Sequence, residues 1–374
     1  MSIIPETPSA GLLKTESLNP EPSAPEISMT VAIAPVYDID FPLAYLQKDA
    51  RPEAGFRCEF EDFCVDETLG FELSGAGEHV YLHVYKRGDN TAWVVKQIAR
   101  LAEVATMDVG YCGLKDRRAL TSQWFSIYLP KGPEPDWSQL NSASIQVTKV
   151  TRHSQKLRRG QHKNNRFCIR LRDLSADLPD TLIEQVLNQG VPNYFGEQRF
   201  GHGGENLNLA EELLSGERKI RNRQRRGLIL SAARSYLFNL VLASRVRDGS
   251  WNQCIDGDTC VDIGTGRFAE GPLWGRGRSP AQLDALAQEA EILEPWAKWR
   301  DAMEHMGLSQ DRRALVLRSI DPSWQREGSD LILKFALSPG CYATALLREL
   351  AVLKSPEPTC VTTPMQPEGK RTVV

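Results

Sequence analysis

From Arg166 to Arg172 the chain alternates strictly, with Phe167, Ile169 and Leu171 on one side and Arg166, Cys168, Arg170 and Arg172 on the other. A period of two is the mark of a strand with one buried face, so this segment demands a sheet with an apolar layer packed against it. The opposite face is suited to solvent or phosphate. Val80 to Tyr85, Trp124 to Leu129, Ser144 to Val150 and Ser329 to Leu337 also read as strands, and Phe56 to Glu67 alternates in part. Between them lie helical signals. Asn90 is placed to cap a helix reaching Ala105, striped by Trp93, Val94, Ile98 and Leu101, and Asp180 to Gln189 forms a helix that stops at Gly190. Ser231 opens a long helix through Val246, Pro280 opens another carrying Trp296 and Trp299, and Cys341 to Leu353 has a helical pattern. The chain thus leaves a sheet architecture, passes through a mainly helical stretch and returns to strands, as an inserted domain would require.

At 374 residues the chain exceeds the size at which single cores stop growing, so two domains are expected. Residues 1–40 are rich in Pro, Ser, Thr and Glu without a sustained period and read as a disordered leader. The first residues lack the basic start and apolar core of a secretory signal, and no apolar run is long enough to cross a bilayer; a cytoplasmic protein is expected. The eight cysteines form no Cys-x-x-Cys pair and read as reduced, mostly buried side chains. His79 and His83 would share a helix face, but the alternation of Val80, Leu82 and Val84 makes their segment a strand, so no metal site is expected. Gly257, Gly264, Gly266, Gly271, Gly275 and Gly277 read as loop punctuation, not as a cofactor fingerprint.

Net charge is −3, so bulk electrostatics do not draw the chain to nucleic acid, and any such role must come from local clustering. Two clusters exist. Lys149 to Arg172 holds nine cations and no acid, among them Arg158, Arg159 and Lys163, while Arg218 to Arg226 is denser, with Arg221, Arg223, Arg225 and Arg226. A solvated face would account for either run alone, but two in a slightly acidic chain point to a polyanion. A third charged segment, Gly113-Leu114-Lys115-Asp116-Arg117-Arg118, sets one acid among three cations between a turn bracketed by Gly110 and Gly113 and an apolar strand. Positive neighbours favour the ionised carboxylate, and the glycines let the backbone approach a ligand, which makes Asp116 the first candidate for a chemical group beside the plainer alternative of a solvated turn.

Gly113-Leu114-Lys115-Asp116-Arg117, Arg152-His153, Val191-Pro192-Asn193-Tyr194-Phe195-Gly196 with Gln198-Arg199-Phe200-Gly201, and Ser231-Ala232-Ala233-Arg234-Ser235 occur in that order. Together they make the chain resemble the TruD family of tRNA pseudouridine synthases, which isomerise uridine 13 of transfer RNA, over about residues 56–349. The resemblance implies an α+β fold: a pseudouridine synthase catalytic domain with a mixed, largely antiparallel sheet, residues 41–218 and 319–355, and an inserted mainly helical α/β TRUD domain, residues 219–318. Residues 356–374 would be a flexible tail. It implies that Asp116 is the catalytic aspartate, that Phe195 stacks on the target base, and that Phe63, Asn193 and Tyr342 line the substrate pocket. Phenylalanine is the family's form at the last position, so the Tyr342 hydroxyl is a departure, as is the long leader.

Converting uridine to pseudouridine breaks the N1–C1′ bond, turns the uracil and rejoins it through C5, with no redox change and no energy source, so no cofactor is expected. Asp116 could bond to C1′, stabilise a cation there, or take a ribose proton to give a glycal. A carboxylate in a pocket needs a cation against it, and Arg57, in the family's basic position before Phe63, is the candidate. Lys115 would support the loop or meet phosphate. The basic residues named above would contact RNA phosphates without reading sequence. The partner expected is tRNA, bound by a monomer with no membrane and no protein partner. A different class stays open: a tRNA-binding or tRNA-remodelling protein that shares the basic clusters but need not keep Lys115-Asp116, Phe195 and Asn193. A nuclease or base-modifying transferase is disfavoured, since paired metal-binding carboxylates and a zinc deaminase pattern are lacking.

Overall fold

A computed structural model describes residues 51–264 and 266–356. The expected leader, and all of the expected tail except Pro356, lie outside the described residues. The strands are β1 (Glu53–Phe56), β2 (Phe63–Leu69), β3 (His79–Arg87), β4 (Val109–Tyr111), β5 (Leu120–Tyr128), β6 (Ile145–His153), β7 (His162–Arg172), β8 (Val191–Pro192), β9 (Cys260–Ile263), β10 (Gly266–Leu273), β11 (Asp311–Ala314), β12 (Val316–Leu317), β13 (Ile320–Glu327), β14 (Asp330–Leu337) and β15 (Val352–Lys354). The helices are α1 (Thr91–Leu101), α2 (Asp180–Gln189), α3 (Glu205–Leu214), α4 (Arg223–Arg247), α5 (Leu283–Ile292), α6 (Ala297–Glu304) and α7 (Ala343–Leu347).

A ten-stranded sheet runs β13-β14-β7-β2-β5-β3-β6, with β4 added beside β5 and β1 bridging β7 to β15. It is mixed and largely antiparallel: β2 runs parallel to β5 and β1 to β15, and the remaining pairs are antiparallel. The strict alternation of β7 suits its central place, pairing with β14 on one side and β2 on the other. Its apolar face joins Phe63, Val65, Leu331, Leu333 and the stripe of α2 in one core. A second core lies between α1 and the Val80, Leu82, Val84 face of β3.

The outward arginines of β7 are engaged by acids. Arg170 binds Asp330 at 2.8 Å, Arg172 binds Asp62 at 2.8 Å and Arg166 lies 3.6 Å from Asp321. The face that alternation alone left open to phosphate is therefore an ion-pair ladder, built by carboxylates that are distant in sequence.

A third core is organised by α4, whose buried residues include Ile229, Ala233, Leu237, Val241 and Val246. It begins upstream of Lys219, since Tyr194, Phe195, Phe200 and the buried face of α3 belong to it. α4 is long and apolar enough to cross a membrane, contrary to expectation, but most of its apolar window is inside the protein, as in a core helix. It starts eight residues before Ser231, at the Asn222 cap, whose side chain accepts from the Arg225 N–H at 2.9 Å. Exposed arginines carry no apolar period, which is why sequence begins the helix only at the stripe.

Other corrections follow from tertiary pairing. The helix expected from Pro280 through Trp299 breaks at Glu294-Pro295 into α5 and α6. The expected Cys341–Leu353 helix ends at Leu347, and β15 then pairs in parallel with β1. The glycines read as punctuation sit partly within an antiparallel sheet, β11-β10-β9. Gly271 in β10 is needed there, because a Cβ would approach Leu315 to 2.7 Å and Phe238 to 3.0 Å. The cysteines also differ from expectation: Cys254 and Cys260 form a disulfide, and of the free ones described only Cys112 is buried.

Candidate active site

Asp116 lies in the loop between β4 and β5. Arg57, just after β1, sets its Nη2 3.0 Å from Asp116 Oδ2, with side-chain exposures of 12% and 39%. The arginine backbone is left-handed, with φ of 56°, a conformation that a non-glycine residue holds only where its surroundings over-determine it. Those surroundings are aromatic: the guanidinium carbon stands 3.9 Å from the centroid of Phe63 and 5.0 Å from that of Phe56. Burial lowers the Arg57 pKa, and the charge of Asp116 opposes that shift. The pair presents a carboxylate held from one side and open on the other.

Phe63 is 2% exposed and meets Phe56 and Phe167 edge-on, so it forms the floor beneath Arg57 and offers no stacking surface of its own. Lys115 is turned inward. Its Nζ reaches Glu67 Oε2 and Asn165 Oδ1, both at 2.7 Å, and the ion pair is 5% and 0% exposed. That ammonium holds the loop to the sheet and is not presented to phosphate. Glu67, Cys112 and His162 bring ligand atoms within 4.8 Å of one another, the arrangement closest to a metal cluster among the described residues. The chemistry there does not favour an ion: Lys115 and the Trp124 N–H occupy the two Glu67 oxygens, and burial pushes the Cys112 thiol up to about 12.

Across from this pair, a cavity of about 560 Å³ opens where the core of α4 meets the core of the large sheet. Phe56, Phe195, Arg199, Tyr342, Thr344 and Arg348 are among its lining residues. Asp116, Phe63 and Asn193 are not; Phe56 and the Arg57 guanidinium above it link the cavity to the carboxylate. The Phe195 ring contacts Phe238 and Tyr342 edge-on and carries the Arg313 guanidinium at 4.2 Å, leaving 8% exposed. Asn193 is fully engaged within the protein, donating to the Ala314 carbonyl at 2.8 Å and accepting from Arg313 Nη2 at 2.6 Å. The Tyr342 hydroxyl accepts from Arg199 Nη2. Arg199 and Arg313 have no acidic partner among the described residues; Arg199 lines the cavity together with Glu197, whereas Arg313 lies on the Phe195 ring and is not among the lining residues.

Sequence reasoning missed Arg313, which no motif marks and which reaches Asn193 only through the fold. Arg199 lay inside a recognised motif and was not singled out. Of the basic positions, Arg158, Arg159, Lys163, Arg221, Arg223 and Arg225 are exposed. Arg159 lies over the Tyr111 ring at 4.2 Å, and Arg226 is partly covered, its Nη2 2.9 Å from Met306 Sδ. The arginines at 223, 225 and 226 crowd the first turn of α4, where no acid balances them and the helix dipole already disfavours positive charge. An anion there would relieve that repulsion.

The fold matches the crystal structure of a Methanosarcina mazei protein assigned as tRNA pseudouridine synthase D, with a TM-score of 0.63 at 20% identity over 82% of this chain and 95% of that one. The family then follows from sequence: the chain belongs to the tRNA pseudouridine synthase D (TruD) family, whose family model matches residues 43–220. The tRNA pseudouridine synthase D of Cellvibrio japonicus is 51% identical over 326 residues, 85% of this chain and 95% of the relative. Those of Methylococcus capsulatus and Nitrosococcus oceani are 46% and 44% identical, covering 83% and 82% of this chain and 94% and 93% of the relatives.

Proposed function

We propose that this protein isomerises uridine to pseudouridine in tRNA, at position 13, with Asp116 as the catalytic carboxylate. Supporting this, the relatives are named tRNA pseudouridine synthase D, and Asp116 is ion-paired to Arg57 at 3.0 Å while keeping 39% of its side chain exposed. That last observation carries the mechanistic part: the acid is anchored by a cation and reachable. The N1–C1′ bond breaks with its electrons leaving on the uracil, Asp116 meets the electron-poor C1′ by bonding to it, by stabilising it, or by taking a ribose proton, and the turned base rejoins through C5 as the carboxylate is released from C1′ or returns the proton. The C5 proton then leaves to solvent and N1 regains one, so the balance needs no oxidant and no cofactor.

Phe195 and the cavity beside it would receive the unstacked base, with Arg199 and Tyr342 in the polar wall and Arg313 supporting the Phe195 ring. Arg57 positions Asp116, and Asn193 acts through Arg313. Arg158, Arg159, Lys163, Arg221, Arg223, Arg225 and Arg226 would meet phosphates. The helical module is assigned to residues 219–318, with its hydrophobic packing extending back to Tyr194. A monomer acting in the cytoplasm completes the assignment.

Tritium release from C5-labelled uridine in unmodified tRNA, with the modified nucleotide mapped, tests it. Asp116→Asn should abolish release and leave tRNA binding largely intact; equal activity in that variant would reject the assignment.

A further inference from the structure

The loop that carries Asp116 is held along its length by β5, by the start of α1 and by the turn between β3 and α1. Gly113 O accepts from Gln123 Nε2 at 2.6 Å, the Lys115 N–H donates to Thr91 Oγ1 at 3.0 Å, and Arg117 Nε donates to Gly88 O at 3.2 Å. Thr91 Oγ1 in turn donates to Gln123 Oε1 at 3.1 Å. One contact differs in kind. The ammonium of Lys86, the last inward-facing residue of β3, donates to the carbonyl of Asp116 itself at 3.1 Å and to that of Asp89 at 2.7 Å. Lys86, Thr91 and Gln123 are 0%, 1% and 0% exposed, polar groups set in an otherwise apolar layer beside Val84 and α1.

A lysine wholly removed from water is costly, and a fold retains one only where its contacts repay the desolvation. Lys86 has no carboxylate within ion-pairing distance among the described residues, so its contacts are the two carbonyls. A methyl-bearing side chain there would fill the same layer. What it would not do is fix the peptide plane that follows the Asp116 Cα, and so the direction from which the carboxylate leaves the backbone.

Resting on the assignment of Asp116 as the reacting carboxylate, we propose that Lys86 is a positioning residue for the isomerisation, holding the Asp116 backbone from beneath while Arg57 holds its carboxylate from the side. A displacement of about 1 Å in such a group costs roughly a hundredfold in rate. Burial lowers the Lys86 pKa to about 8; Asp116 and Asp89 favour its charged form, and Lys115 opposes it. The anchor therefore weakens as pH rises through the folded value. The sign for stability is opposite: between about 8 and the ordinary lysine value near 10.4 the unfolded chain keeps a proton that the folded chain has lost, so this group makes the fold more stable with rising pH.

Single-turnover rates on tRNA, tRNA affinity and urea denaturation should be measured from pH 7 to pH 10 for the wild type, Lys86→Met, Lys86→Gln and Asp116→Asn. The wild-type rate should fall above about pH 8 while its denaturation midpoint does not fall with it. Lys86→Met should be slower by about tenfold to a hundredfold at pH 7, with tRNA affinity within about twofold and no alkaline limb. Lys86→Gln, an uncharged donor, should lie between. A Lys86→Met enzyme at the wild-type rate, or one keeping the wild-type limb, overturns the proposal. Should both variants fail to fold, a wild-type rate that is flat to pH 10 overturns it and a falling one supports it. An active Asp116→Asn would instead sink the assignment on which the proposal rests.

Discussion

Arg57 Nη2 and Asp116 Oδ2 are 3.0 Å apart across the two edges of one loop cluster, and the same guanidinium caps the Phe63 ring at 3.9 Å. One cation thus fixes the carboxylate and closes the aromatic floor. Arg57→Ala should lower the single-turnover rate by about tenfold to thirtyfold. A charge-assisted hydrogen bond contributes about 1.5–3 kcal/mol, and the exposure of Asp116 argues for the lower part of that range. Arg57→Lys should recover part of the loss, since it keeps the charge without the planar stack. Rates at saturating enzyme, with tRNA affinity measured separately, check both variants.

Lys115 and Glu67 are the buried pair behind the loop, 5% and 0% exposed. Removing one partner strands the other, so Lys115→Met should cost about 3–5 kcal/mol of folding stability in urea denaturation. The double replacement Lys115→Met with Glu67→Leu should cost less than the single one. A single variant as stable as wild type would contradict the arrangement.

The arginines at the start of α4 bear on affinity, not chemistry. Arg221→Ala, Arg223→Ala and Arg225→Ala combined should weaken tRNA binding and flatten its logarithmic salt dependence by about 0.7–0.9 for each phosphate that is no longer neutralised, with the maximal rate unchanged. Arg170→Ala is the control. Its guanidinium belongs to Asp330 and Glu327, so the slope should stay as in wild type.

Phe195→Leu should slow single turnover by the stacking contribution of about 1–3 kcal/mol, roughly 5-fold to 150-fold. Tyr342→Phe removes only the hydroxyl that accepts from Arg199, and a loss of about 1 kcal/mol or less, up to roughly fivefold in rate, is expected. Comparing the two variants on one tRNA separates ring stacking from the polar wall.

Local pattern determined a good deal by itself. The alternation of β7 marked a strand with one buried face, Asn90 and Gly190 marked helix ends, and four short motifs led to the family and, through that resemblance, to Asp116 and Arg57. These signals are legible because side-chain period, caps and motif order are properties of neighbouring residues. Only the tertiary structure decided which cations are free. Arg170, Arg172 and Lys115 look as available in sequence as Arg223, yet Asp330, Asp62 and Glu67 approach them across the sheet. It alone brought Arg313 against Asn193 and Phe195, and Lys86 beneath Asp116. A charge carries no record in its own neighbourhood of what will face it, because pairing is set by strand register and loop packing between segments far apart along the chain.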